Sequence, residues 1–195
     1  MSVRSALLGL LAARPKHGYE LLKHFAPGSD LGDLYHLEMG QMYALLHRME
    51  GDELVEAELI AQGTRPPRKV YHLSQRGRTA FHDWVTTPVR KVRDLRIEFL
   101  LKLYFARQIG RVPALSLVVA QIAVCHEEME RLDDARRSAP EEFARLVYAS
   151  RLGRARGVLE WLESCRRELE VDRGEGPAET GTIGTGLGDP AKEAS

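Results

Sequence analysis

The pattern that most constrains this chain is a change of hydrophobic period at residue 54. Over residues 39–51 the apolar side chains Met42, Leu45, Leu46 and Met49 recur at i, i+3, i+4 and i+7, which gathers them on one face of a helix. Directly afterwards, Leu54-Val55-Glu56-Ala57-Glu58-Leu59-Ile60 alternates apolar and acidic residues, the period of a strand buried on one side. Gly63, Pro66 and Pro67 break that run, and Lys69-Val70-Tyr71-His72-Leu73 reads as the returning strand of a hairpin. A helix that passes straight into a hairpin needs its apolar face covered by whatever precedes it.

Two earlier segments suit that purpose. Val3, Leu7, Leu10 and Leu11 predict a helix over 2–13 that Pro15 stops. His17-Gly18-Tyr19-Glu20 opens a second, short helix with Tyr19, Leu22 and Phe25 three apart, and Pro27-Gly28-Ser29-Asp30 breaks it into a loop reaching about Leu37. After the hairpin, Ser74 is a good N-cap for a fourth helix carrying Ala80, Phe81, Trp84 and Val85. Three helices, a two-stranded wing and a fourth helix describe a winged helix-turn-helix in residues 1–86.

Thr86-Thr87-Pro88 suggests a boundary and a linker near 86–93, beyond which the pattern is helical. Residues 94–109 are apolar nearly all round, so this helix is expected to be buried on more than one side, and Gly110 and Pro113 end it. Leu115, Val118, Ile122, Cys125, Met129 and Leu132 then step by 3, 4, 3, 4 and 3, the a/d seam of a helix packed lengthwise on another. Pro140 suits the start of a last helix, with Phe143, Leu146, Val147, Val158, Trp161, Leu162 and Leu169 as its apolar contacts. Residues 94–172 are therefore expected to form an antiparallel helical dimerisation region. Residues 173–195, rich in Gly, Thr, Glu and Pro, are expected to be a disordered tail. The fold class is mainly α.

Charge alone does not reveal the function. The 28 basic and 28 acidic residues cancel, which argues against a protein that coats nucleic acid without sequence preference. The first 91 residues hold 12 Lys/Arg against 10 Asp/Glu, so any cationic surface must be sorted locally. Cys125 and Cys165 lack CxxC spacing, no secretory signal is legible, and no stretch approaches the roughly twenty apolar residues of a membrane span. These features predict a cytoplasmic protein without a membrane partner. There is no Gly-x-Ser-x-Gly elbow, phosphate-binding glycine loop or supported Cys/His pair, so no catalytic residue, cofactor or metal is assigned and an enzyme is not expected. His126 and Glu130 have i, i+4 spacing but no further ligand, and solvated charge is the favoured reading.

If Met42, Leu45, Leu46 and Met49 point inward, Gln41, Ala44, His47 and Arg48 lie on the outer face of the third helix, flanked by Tyr43. Gln bonds adenine bidentately, Arg bonds guanine or phosphate, and a small Ala permits close approach to a base edge. The hairpin adds Arg65, Arg68 and Lys69, placed to reach phosphates or an adjacent minor groove. Residues 7–81 resemble the PadR family of bacterial transcriptional regulators. The likeness rests on Leu7-Leu8-Gly9-Leu10-Leu11, His17-Gly18-Tyr19-Glu20-Leu21, the helix set Gly40, Tyr43, Leu46 and Met49, the strand Leu54-Val55, the wing Arg65 to Ser74, and Gly77-Arg78. Glu98-Phe99-Leu100-Leu101-Lys102 and the long helices are similar to the larger members, whose C-terminal helices dimerise. Where the family usually has Ser or Pro, Gly, then Thr, this chain has Met39-Gly40-Gln41.

The resemblance implies a homodimer that represses by occupying double-stranded operator DNA, with release by a small-molecule effector, and it assigns DNA contact to Tyr43 and the wing cations. A winged-helix protein-interaction or ligand-sensor module without sequence-specific DNA binding is the alternative. Trp84, Phe99, Tyr104 and Trp161 are candidates for an aromatic ligand pocket, although aromatics at helical spacing are more often core. His17 and Tyr19 could contact the DNA backbone, but core or interdomain packing is the favoured reading, since Tyr19 has a helical-core spacing. His72 is expected to be structural, and Cys125 and Cys165 are read as small packing residues.

Overall fold

The computed structural model describes residues 2–62, 65–91 and 95–171. The chain runs α1 (Ser2–Ala13), β1 (Lys16–His17), α2 (Gly18–Lys23), α3 (Met39–Gly51), β2 (Val55–Gln62), β3 (Arg65–Leu73), α4 (Gln75–Thr86), α5 (Glu98–Ile109), α6 (Arg111–Ser138) and α7 (Glu142–Val171). A winged helix-turn-helix followed by a helical region is the architecture the sequence predicts. The expected tail and the last two residues of the expected linker lie outside the described residues.

The sheet differs from a plain two-stranded wing. Its order is β1-β3-β2, because Lys16 and His17, extended after Pro15 ends α1, pair antiparallel with Tyr71 and Val70. His17 then caps α2: its Nδ1 accepts from the Glu20 N–H at 3.2 Å, and the Glu20 carboxylate accepts from the His17 N–H at 3.1 Å. The long strands also run further than their alternation suggests, through positions expected to be loop. Pairing passes from Ile60↔Arg68 to Gln62↔Arg65 and slips a residue. The slip falls at Pro66 and Pro67, which have no N–H to give to the ladder.

The turn from α3 into β2 depends on two backbone features. Glu53 takes a φ of 58°, and the Leu54 N–H reaches back to the Met49 carbonyl at 2.9 Å, closing the helix with a left-handed residue where Gly is more usual. Ser74 caps α4 by accepting from the Gly77 N–H at 3.0 Å, while its hydroxyl donates to the Glu53 carbonyl at 2.7 Å. A Cβ on Gly77 would sit 2.1 Å from the Leu54 carbonyl oxygen, so glycine is what lets α4 lie on the start of β2.

One apolar core runs from Leu7 in α1 to Leu162 in α7. Helices α1, α4 and α5 meet at Gly9, where a Cβ would come 2.6 Å from the Phe105 ring and 2.8 Å from that of Phe81. The expected multi-sided burial of α5 is present in Phe99, Leu101, Phe105 and Ala106. Helix α6 uses half of its expected seam. Val118, Cys125 and Leu132 are buried, but Leu115, Ile122 and Met129 are only partly covered, and Ala114, Leu117 and Gln121 take the remaining core places. The rotation follows from packing on two neighbours at once, α5 and α7. One expectation from the sequence is overturned in the same helix. Helix α6 does contain an 18-residue window, of mean hydropathy 1.3, long and apolar enough to cross a membrane by length and composition. In α7 the expected contacts Phe143 and Leu146 are instead 76% and 60% exposed. The C-terminal end of α6 is mostly charged, with Asp133, Asp134, Arg136 and Arg137 around Ala135.

Two buried polar side chains hold the connection between the halves. Gln121 has no exposed surface and turns both ends of its amide onto Val89, accepting from its N–H at 2.7 Å and donating to its carbonyl at 2.8 Å. Lys102 donates to the carbonyls of Trp84 at 2.7 Å and Thr87 at 2.6 Å, and burial pushes its pKa down. Gln121→Leu leaves the two Val89 backbone groups unpaired, and the expected loss is about 2–4 kcal/mol despite the more apolar side chain. Equilibrium urea unfolding of the two proteins measures it, and equal midpoints would refute the pin.

Candidate nucleic-acid interface

The third helix presents the face the periodicity assigns to it. Met42, Leu46 and Met49 have no exposed surface, while Gln41, Tyr43, Ala44, His47 and Arg48 are all exposed. Their states differ. Gln41 is occupied within its own helix: its Oε1 accepts from the Glu38 N–H at 3.3 Å, tying up one of the donors that a helix start leaves free. Arg48 lies back along the helix, its Nε donating to the Ala44 carbonyl at 3.3 Å. His47 has no hydrogen bond or ion pair among the described residues. Gly40 leaves the start of the helix bare, since a Cβ there would meet nothing within 4 Å.

Tyr43 has a structural edge and an open one. A Cβ on Gly18 would come 2.8 Å from the Tyr43 ring, so glycine at that position lets α3 pack against the start of α2. Tyr43 as a whole is 45% exposed, and its hydroxyl end is part of the edge that lies against Gly18. Tyr19, expected in packing from its spacing, is instead 51% exposed. It stacks on His17 at a ring distance of 6.5 Å and lies under Lys23 Nζ at 5.1 Å. Leu21 and Phe25 take the buried positions of that segment. Sequence reasoning missed Tyr19 and Lys23 as surface groups because α2, only Gly18–Lys23, is too short for its period to fix a face.

The wing cations do not act as one group. Strand alternation sends Arg68 and Lys69 to opposite faces of β3. Lys69 turns towards the recognition helix, where its Nζ meets the Glu50 carboxylate at 2.7 Å and lies 5.5 Å from the centre of the Tyr71 ring. The Glu50 hydrogen bond raises the Lys69 pKa. Arg68, opposite Ile60, is exposed with no ion pair among the described residues. The backbone of Arg65 opens β3, and its side chain lies outside the described residues. His72 lies in β3, with its Nε2 3.2 Å from the Glu58 carboxylate, in keeping with a structural place.

The aromatic candidates divide into two sets. Trp84 packs with Phe81 and Phe105 and donates its Nε1–H to Glu98, and Tyr104 stands edge-on to Phe105. Phe99 and Trp161 pair separately, with ring centres 5.8 Å apart. Among the described residues these contacts place Trp84 and Tyr104 around Phe105 and keep Phe99 and Trp161 together as a second set. Cys125 is buried, and burial raises both cysteine thiols above their usual pKa.

Residues 7–83 match the model of the transcriptional regulator PadR-like family, and residues 95–170 match the virulence activator alpha C-terminal model. The chain is 25% identical over 181 residues to the negative transcriptional regulator PadR of Bacillus subtilis (strain 168), spanning 87% of this chain and 98% of that protein. It is 31% identical over 96 residues to the probable transcriptional regulator Rv1176c of Mycobacterium tuberculosis, spanning 49% of this chain and 50% of that one. Among solved structures, Bacillus subtilis PadR in complex with operator DNA aligns with a TM-score of 0.43 at 25% identity, covering 87% of this chain and 99% of that one.

The capping role of Gln41 has its own test. Gln41→Ala is expected to lower stability by about 0.5–1 kcal/mol, while Gln41→Glu, which retains a capping acceptor, restores it. Thermal unfolding followed by circular dichroism separates the two, and identical midpoints would remove the cap from the account.

Proposed function

The chain belongs to the PadR-like family of transcriptional regulators, and from that premise we propose that it is a cytoplasmic repressor. On this reading it binds an inverted-repeat operator as a homodimer and leaves it when a small-molecule effector binds. The observation that carries this reading is the division of α3: Met42, Leu46 and Met49 without exposed surface, Gln41, Tyr43, Ala44, His47 and Arg48 facing out. Such a helix fits the major groove, where Gln41 and Arg48 reach base edges or phosphates once they leave their own helix. Bare Gly40 allows a phosphate to approach the first N–H groups of α3. Arg68, and Arg65 on the same hairpin, contribute position and affinity through phosphates.

The homodimer is supported by surface that the single chain leaves open. Val112, Leu115, Val119, Ile122 and Met129 form a stripe along α6 that is exposed or half-buried, and Phe143 and Leu146 add to the apolar surface on α7. Apolar area of this kind is usually covered by another protein surface. A two-fold dimer that reads an inverted repeat needs its two recognition helices about 34 Å apart, in successive major grooves.

Footprinting on the DNA upstream of the chain's own gene tests the reading. A protected inverted repeat with salt-dependent affinity is expected, and the absence of any protected site would overturn it. Within that assay, Arg68→Ala is expected to weaken binding to all sequences and reduce the salt slope by about 1. Glu50→Gln does the opposite by releasing Lys69. If both variants shift affinity in the same direction, the separation of the two wing cations is wrong.

A further inference from the structure

We propose that the cleft between α6, α7 and the approach to α5 binds a small organic polyanion carrying a flat ring. The cleft has a volume of about 1040 Å³, and among the described residues its walls hold six cations, Arg90, Lys91, Arg96, Arg131, Arg151 and Arg154, and one carboxylate, that of Glu128. Glu128 is already paired with Arg131. Among the described residues the other five have no ion pair. Cations gathered on one concave wall repel one another and raise the local potential, so a multiply charged anion is the ligand they favour. Guanidinium groups bind phosphate and carboxylate through paired N–H donors.

Charge alone describes many solvated surfaces, and two further features make this one a site for a ring. Arg151, Arg154, Val158 and Trp161 follow one another along α7 at steps of 3, 4 and 3, a single stripe with cations at one end and an apolar wall at the other. Trp161 stands edge-to-face on Phe99 at 84° and keeps 38% of its surface exposed, so it is anchored but open. Between Arg154 and Trp161 lies Gly157, where a Cβ would meet nothing within 4 Å. A glycine inside a helix costs about 1 kcal/mol relative to alanine, and packing among the described residues does not require it. Its bare backbone gives a flat ring room to lie beside Trp161 while the anionic groups reach Arg151, Arg154 and Arg131.

The cleft also adjoins the joint between the halves. Arg90 and Lys91 directly follow Val89, the residue that Gln121 holds. An anion drawing these two side chains inward pulls on the segment that positions α4, and binding is therefore coupled to DNA affinity. That coupling rests on the proposed DNA-binding function, whereas occupancy of the cleft does not.

The test uses the full chain with Trp84→Phe, which leaves Trp161 as the sole tryptophan of the two. It is titrated with ATP, with benzene-1,3,5-tricarboxylate and with inorganic pyrophosphate at constant ionic strength. At least one ring-bearing anion is expected to quench Trp161 at lower concentration than pyrophosphate, and the better of the two identifies phosphate or carboxylate as the preferred charge. Arg151→Gln with Arg154→Gln is expected to weaken that response by roughly tenfold or more. Gly157→Leu is expected to raise thermal stability yet abolish the response. Failure of both ring-bearing anions to bind, or equal titrations in the variants, would overturn the site. A change of particle mass in either variant by light scattering would show the cleft to be a subunit contact, and that too overturns it. The anion should lower DNA affinity in the parent and not in the double variant; equal loss in both is ionic screening and refutes the coupling. Absence of DNA binding without any anion counts against the proposed function and leaves the fluorescence result standing.

Discussion

The amide of Gln121, sealed inside the molecule and bonded at both ends to Val89, fixes how the two halves of this chain meet. A buried amide or ammonium is costly unless its hydrogen bonds are made. Gln121 meets that condition on the backbone of Val89, and Lys102 on the carbonyls of Trp84 in the last turn of α4 and of Thr87 just after it. The result is mutual dependence. The connection is held because two helices each bury a polar side chain, and those side chains are tolerable because the connection satisfies them. With the Gly9, Phe81 and Phe105 contact behind it, this arrangement gives α4 one orientation on α5. The recognition helix inherits that orientation through the Ser74 cap and the sheet.

Much of this was legible in the sequence because the relevant signals are local and periodic. The change of period at residue 54 locates both the end of α3 and the start of β2, and the outward face of residues 41–48 follows from helical spacing alone. What could not be read depends on neighbours distant in sequence. The pairing of β1 with β3 joins Lys16 to Tyr71, and two residues have no period to detect. The half-open seam of α6 arises because α5 and α7 divide its circumference between them, and a one-dimensional pattern cannot show how many helices share a face. The exposure of Phe143 and Leu146 is of the same kind, since it depends on what the rest of the chain packs against them.

The proposed site residues show the same division. Position on a face was legible, but the state of each side chain was not. Gln41 has the chemistry of a base reader, yet in the free chain it caps its own helix. Lys69 counts as a wing cation in the sequence, yet in space it is the counter-ion of Glu50. Both groups must exchange an internal partner for a new one if they are to contact DNA, and the gain is the difference between two hydrogen bonds. Arg68, which has no partner to give up among the described residues, is the wing cation with the larger net attraction for a phosphate.

A formal charge of zero conceals how unevenly charge is arranged. Acidic residues are used in pairs: Glu50 with Lys69, Glu128 with Arg131, and Asp133 with Arg136 and Arg137. Among the described residues several cations have no ion pair, and five of them, Arg90, Lys91, Arg96, Arg151 and Arg154, lie around the cleft beside Trp161. Net charge therefore predicts little about what this protein attracts. An approaching anion responds to the unpaired cations within about a Debye length, roughly 8–10 Å at ordinary ionic strength, and not to the total. The same locality separates two kinds of anion. On the proposed function, a DNA backbone would extend over the face carrying α3 and the wing and meet cations spread along it. A small ligand can satisfy several guanidinium groups only where they converge, and in this fold they converge next to the joint that sets the angle of the DNA-reading half.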